Sequence, residues 1–364
     1  MRTLVFWGDA PLARAKDRAE KGDLILLWGR REGGNEEAQF KTADWSEERA
    51  ARVETAVVEW TRAVAEEPLL EGRAFGDLFH WEGLSLWPLV ERFFLSPRSA
   101  AAACVRLVEA FGLVFETELP DEVEASGLRD DEVRLLERCC TARGVLFQGE
   151  ARGRGGPGTL RPKAREVLSL VGRLRALGSA LSRTKGSPAA GTIVFVRPEG
   201  EAGEKLDAFE RLLRVAREEM DLKVTDFGGE GGLGPENLVD GEAQRAIHAA
   251  EEAFRKARAE LTEAPATVAA FRHDDVGFAD LAAAPDLEAV LLGLLPRAVR
   301  RVEALRALLR TSAPRALCAS ADDALALHAG RLAGVPVEAF ATAADGPRVL
   351  HALQAATRGA GMVG

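Results

Sequence analysis

Two short stretches of this chain carry the residue types that acid–base chemistry requires. In His80-Trp81-Glu82-Gly83 an imidazole, an indole and a carboxylate stand beside a glycine that lets the backbone bend. Histidine and glutamate are the usual proton carriers in catalysis, and an indole face can stack a sugar ring. The second stretch, Phe271-Arg272-His273-Asp274-Asp275-Val276-Gly277, keeps a histidine and acidic residues before the turn. In an active site, Glu82 or Asp274 would be the base, His80 or His273 a second polar group beside it, and Trp81 and Asp275 would line the substrate. A structural reading competes with this one. Acids ahead of a turn often cap helices, and Leu84, Leu86, Trp87, Leu89, Val90, Phe93 and Phe94 have the look of a core-facing element. Capping and packing are the commoner uses of such residues.

Three further segments could bind a ligand. Gly8-Asp9-Ala10-Pro11 follows an apolar strand, where a helix N-terminus can meet an anion. A full Gly-x-Gly-x-x-Gly is absent, so a structural turn is the plainer reading and a dinucleotide site is not expected. Gly228 to Gly234 is rich in glycine, but it lacks the Lys-Ser/Thr ending of a phosphate loop and contains Glu230. The stretch from Arg161 to Lys185 is basic and predicts a helix whose arginines either meet an anion or simply face solvent. Cys104, Cys139, Cys140 and Cys318 have no zinc-type spacing, and His248, His328 and His351 stand singly. No metal and no cofactor are therefore expected.

The elements that would hold these residues repeat. Each of the two stretches is followed by a similar helix, Val105-Arg106-Leu107-Val108-Glu109-Ala110 or Val299-Arg300-Arg301-Val302-Glu303-Ala304. Each helix is followed by a proline (Pro120, Pro314), an Asp-Asp pair (Asp130-Asp131, Asp322-Asp323) and a Gly-Val step (Gly144-Val145, Gly334-Val335). Apolar runs at 3–7, 24–28, 113–115, 145–147, 192–196 and 222–227 predict strands, and amphipathic helices lie between them. The expected fold is α/β, with two Rossmann-like lobes of mostly parallel sheet and a helical linker. The lobes would span 1–148 and 191–340, with linker and basic helix at 149–190 and a tail at 341–364. The echo reads as an internal duplication, and a cleft between the lobes is the default ligand location.

The chain has 364 residues, a formal net charge of −9 and no tyrosine. An acidic chain argues against a nucleic-acid partner. No apolar run is long enough to span a bilayer and the N-terminus does not read as a signal peptide. A cytoplasmic location is expected, with peripheral contact at an inner membrane as a variant of it. The composition suggests a GC-rich bacterial genome.

Gly83-Leu84-Ser85-Leu86-Trp87, the Val-Glu-Ala helix, the strand after proline, the Asp-initiated helix and Gly334-Val335-Pro336 together resemble a known family. The resemblance is to the N-terminal half of GT-B type glycosyltransferases of bacterial surface polysaccharides. It implies a protein of surface-carbohydrate assembly that binds a glycan acceptor or a nucleotide-sugar. Where the family has Gln-His-Gly after the Gly-Val-Pro step, this chain has Val337-Glu338-Ala339-Phe340, and only 24 residues follow Phe340. The family's donor-binding residues therefore have no counterpart to match. The alternative is a non-catalytic scaffold or partner subunit derived from such a half, with another protein supplying the donor domain. A sensor that closes two lobes on a small ligand is a third reading.

Overall fold

Leu4, Val5, Phe6 and Trp7 are all buried, which a strand achieves only when both faces of its sheet are covered. The computed structural model describes residues 2–8, 10–28, 41–42, 46–70, 73–149, 192–198, 203–228 and 238–358. Its first half runs β1 (Thr3–Trp7), α1 (Leu12–Glu20), β2 (Leu24–Leu27), β3 (Lys41–Thr42), α2 (Glu47–Glu66), β4 (Pro68–Leu70), β5 (Arg73–Ala74), β6 (His80–Trp81), β7 (Leu84–Ser85), α3 (Trp87–Phe94), α4 (Ala100–Glu118), β8 (Glu122–Ser126), α5 (Asp130–Arg143) and β9 (Leu146–Gln148). The second half runs β10 (Ile193–Val196), α6 (Glu204–Arg214), β11 (Val224–Phe227), α7 (Gly241–Glu263), α8 (Pro265–Ala270), β12 (Arg272–His273), β13 (Val276–Gly277), α9 (Ala279–Glu288), α10 (Leu295–Ser312), β14 (Ala316–Ser320), α11 (Ala324–Leu332), β15 (Val337–Phe340) and α12 (Gly346–Arg358). The basic segment 161–185, Asp9 and residues 229–234 lie outside the described residues.

The fold is α/β with two parallel sheets flanked by helices. One sheet has the order β3-β2-β1-β8-β9 and the other β11-β10-β14-β15, every pair parallel. The order β2-β1-β8-β9 matches β11-β10-β14-β15 strand for strand. Smaller features match too. Leu119 ends α4 at φ 45° and Ala313 ends α10 at φ 39°, each directly before a proline. A residue before proline is pushed out of the right-handed helical region, so both helices stop at the same point of the pattern.

Contacts divide the chain into two compact units, Met1–Leu168 with Ala257–Leu291, and Ser169–Lys256 with Leu292–Gly364. Residues 257–291 thus fold with the first unit, although chain order places them in the second half. Their hairpin and α9 pack on α4 and α5. Phe271 and Phe278 lie against Trp60, with ring centroids 5.7 and 5.9 Å away, and the Trp60 indole donates to the Ala270 carbonyl at 3.2 Å. In the same unit Val5, Trp7, Ile25 and Leu27 pack on Ala15 of α1, while Phe6 meets Phe111 of α4 on the other face. The second unit is built on Ile193, Phe195, Phe209, Leu212, Cys318 and Phe340.

One expected strand is a helix. Leu113-Val114-Phe115 belongs to α4, whose residues are buried around most of its circumference. A helix covered on several sides shows a continuous apolar run, and period alone cannot separate it from a strand. Among the described residues no helix is long and apolar enough to cross a membrane.

Candidate functional site

The two chemically suggestive stretches are two-residue β-hairpins. Trp81 pairs with Leu84 across Glu82-Gly83, and His273 pairs with Val276 across Asp274-Asp275. Both turns have positive φ at both central residues: 44° and 81° in the first, 49° and 62° in the second. That is the geometry whose twist suits a tight hairpin. The residue opening each following helix closes the loop in the same way. Leu86 N–H donates to the Phe79 carbonyl at 2.7 Å, and Phe278 N–H to the Phe271 carbonyl at 2.9 Å. The register makes His273 the counterpart of Trp81 and Arg272 the counterpart of His80. The two imidazoles therefore do not occupy equivalent positions.

The candidates of the first hairpin are scattered in role. His80 is exposed, and its Nδ1 lies 2.8 Å from the Asp77 carbonyl. Trp81 is half-buried, and its indole Nε1 is buried with no hydrogen-bond partner. Glu82 is exposed on the turn. Gly8 sits at the carboxyl end of β1, and its N–H donates to the Ser126 carbonyl at 2.8 Å. A Cβ on Gly8 would lie 2.4 Å from the Gly127 carbonyl oxygen, so the ends of β1 and β8 close on each other.

The second hairpin joins a charged cluster within the first unit. Glu109 of α4 is almost fully buried; its Oε2 accepts from His273 Nε2 at 3.1 Å and its Oε1 from Arg52 Nε at 2.7 Å. Arg143, at the end of α5, donates to Asp274 Oδ2 at 3.2 Å, while its guanidinium lies over Phe115 and against Gly112. Arg52 also grips Glu116 with two bonds of 3.0 Å. This fork pulls the Glu116 carboxyl below its usual range and pushes the Arg52 guanidinium up. Asp275 points away and pairs with Arg272. The carboxylate of Glu109 orients the imidazole, as an acid does for a histidine base. The cluster also stands off the ligand edge of the sheet. Helix α4 ends beside Arg2 and Asp121, at the strands' amino ends; Glu116 and Arg143 lie toward that end and Glu109 stands at mid-helix.

Ligands of open parallel sheets bind at the carboxyl ends of strands, where the order reverses. In the second unit that point lies between β10 and β14, and a polar set gathers there. Arg301 of α10 is 7% exposed; it donates to Asp323 Oδ2 at 2.6 Å and to the Arg197 carbonyl at 3.3 Å. Arg197 stands over the Phe209 ring and pairs with Glu210 at 3.2 Å and, more loosely, with Asp226 at 3.8 Å. Burial pushes the Asp226 carboxyl up. Lys205, in the first turn of α6, pairs with Asp322 beside the N-cap residue Asp323 of α11. Sequence reasoning noted the Asp322-Asp323 pair and the arginines of α10 as parts of the echo. Nothing local brings them to one sheet edge, because that takes two crossovers, β10 to β11 and β11 to β14.

Burial pushes all four thiols up to about 12, so none is a ready nucleophile. A cleft of about 510 Å³ opens in the first unit between Arg138, Thr262, Val268, Asp280 and Ala283. Its guanidinium is already held by both oxygens of Asp280 and by the Gly277 carbonyl. No protein-family model matches the chain, and no curated protein and no solved structure is detectably similar to it.

Proposed function

We propose that this protein is a glycosyltransferase-like component of bacterial surface-carbohydrate assembly that binds a nucleotide-sugar or a glycan acceptor. The observation that carries this reading is the pair of Rossmann-like sheets with one strand order, β2-β1-β8-β9 and β11-β10-β14-β15. Each presents a switch point of the kind that holds nucleotide ligands. The edge of the second unit supports a donor site best. Lys205 and Arg197 offer charge to a diphosphate, and Asp322 and Asp323 offer acceptors to sugar or ribose hydroxyls.

Thermal denaturation of the full chain with UDP-, GDP-, CDP- and TDP-sugars tests the proposal. A ligand at 100 times its Kd adds about 2.7 kcal/mol of stability. A raised Tm with one nucleotide, lost in Lys205→Ala, is the expected result. No shift with any of them overturns donor binding by this chain.

The non-catalytic reading is favoured by the first unit. There Gly8 and Gly127 close the sheet edge, and Asp274 is paired with Arg143. It predicts ligand binding without turnover, and co-purification of a second chain that supplies donor chemistry.

A further inference from the structure

The Glu109–His273–Asp274 cluster has features that a hairpin anchor alone does not need. Each residue offers one ligand atom, and these atoms all lie within 4.8 Å of one another. They come from three places, the middle of α4, strand β12 and the turn after it. We propose that these three residues form a divalent-cation site, of the zinc class, that staples the second hairpin to α4.

Three observations carry this. First, the outer oxygens are already held. Arg52 takes Glu109 Oε1 at 2.7 Å and Arg143 takes Asp274 Oδ2 at 3.2 Å, leaving Glu109 Oε2 beside the imidazole and Asp274 Oδ1 unclaimed by either guanidinium. Outer partners that fix a carboxylate in this way are the usual support of a metal ligand. Second, Glu109 Oε2 and His273 Nε2 are 3.1 Å apart. Two ligands on a tetrahedral zinc, with bonds of about 2.0–2.2 Å, stand about 3.4 Å apart, so a small opening converts the hydrogen bond into two metal bonds. Third, the charges admit a cation. Three carboxylates, Glu109, Glu116 and Asp274, pair with two guanidiniums, Arg52 and Arg143. Both guanidinium charges are matched, Arg52 chiefly by its two bonds to Glu116.

One imidazole and two carboxylates suit a borderline ion such as Zn²⁺ better than Mg²⁺, which keeps its waters and prefers oxygen. Three protein ligands leave a fourth position for water. The ion acts on stability, because it joins segments 164 residues apart in sequence.

Calorimetric titration of the metal-stripped full chain with ZnCl2, paired with thermal denaturation, tests the site. The expected result is one zinc per chain and a raised Tm. His273→Ala and Asp274→Asn should each weaken binding at least tenfold and abolish the rise in Tm. Asp274→Asn keeps a turn residue that tolerates positive φ, so it reads binding without loss of the fold. His351→Ala, which removes an exposed histidine of α12, should bind zinc as the parent does. No zinc binding by the parent chain, or equal binding by all variants, overturns the proposal.

Discussion

Asp286 is 2% exposed and accepts three hydrogen bonds of 2.7–2.8 Å at the start of α4, from Ser99 Oγ and the N–H groups of Ala100 and Ala101. Burial pushes its carboxyl up, while the three donors and the positive helix end pull the other way. Truncation would leave backbone donors buried and unpaired. Asp286→Ala should cost about 2–3 kcal/mol in urea unfolding, and Asp286→Asn distinctly less. Nothing local in the sequence marks Asp286 or sets Glu109 apart within its repeated helix, because a residue's partner cannot be read when it lies 187 or 164 positions away. Sequence reasoning found His273 and Asp274 through local composition, and composition is silent on Arg143 and Arg52. The Trp81 indole shows the opposite case: the aromatic was visible in the sequence, but its buried, unpartnered N–H was not.

At the scale of elements, the apolar runs of β1, β2 and β10 were legible because a strand covered on both faces must be apolar throughout. The same logic misread 113–115, since a deeply buried helix carries the same signal. Turn chemistry was half legible. Glu82-Gly83 contains a glycine, whereas Asp274-Asp275 reaches positive φ at two aspartates, which only the hairpin around them enforces. Glycine also does work that pattern cannot show. Gly127 has φ 72°, and a Cβ there would lie 2.5 Å from the Ala10 nitrogen. Gly127→Ala should destabilise the chain by about 2 kcal/mol or more. Gly293→Ala, in a helical segment with nothing within 4 Å of the added Cβ, should instead stabilise by about 0.5–1 kcal/mol. Paired thermal melts of the two variants read the opposite signs.

At the scale of the molecule, chain order and spatial grouping part company. Residues 257–291 bury Phe271 and Phe278 in the first unit, against Trp60 and Phe94. A fragment ending at residue 149 would expose that aromatic surface. It should show poorly dispersed amide resonances and no cooperative melt. Recovery of dispersion on adding a 257–291 peptide would assign the defect to this segment. A well-folded 1–149 fragment would show instead that the first sheet and its helices suffice.

By itself the sequence determined the α/β class, the two sheets and the repeated order of elements, because strand burial, helix period and proline or glycine stops are local properties. Tertiary structure alone decided which half each hairpin serves. It also decided that His273 meets Glu109 while His80 meets a backbone carbonyl, and that Arg197, Arg301 and Asp323 share a sheet edge. Glu109 and His273 are 164 positions apart and Arg301 and Arg197 104, and such pairing energies exist only once the chain has closed on itself.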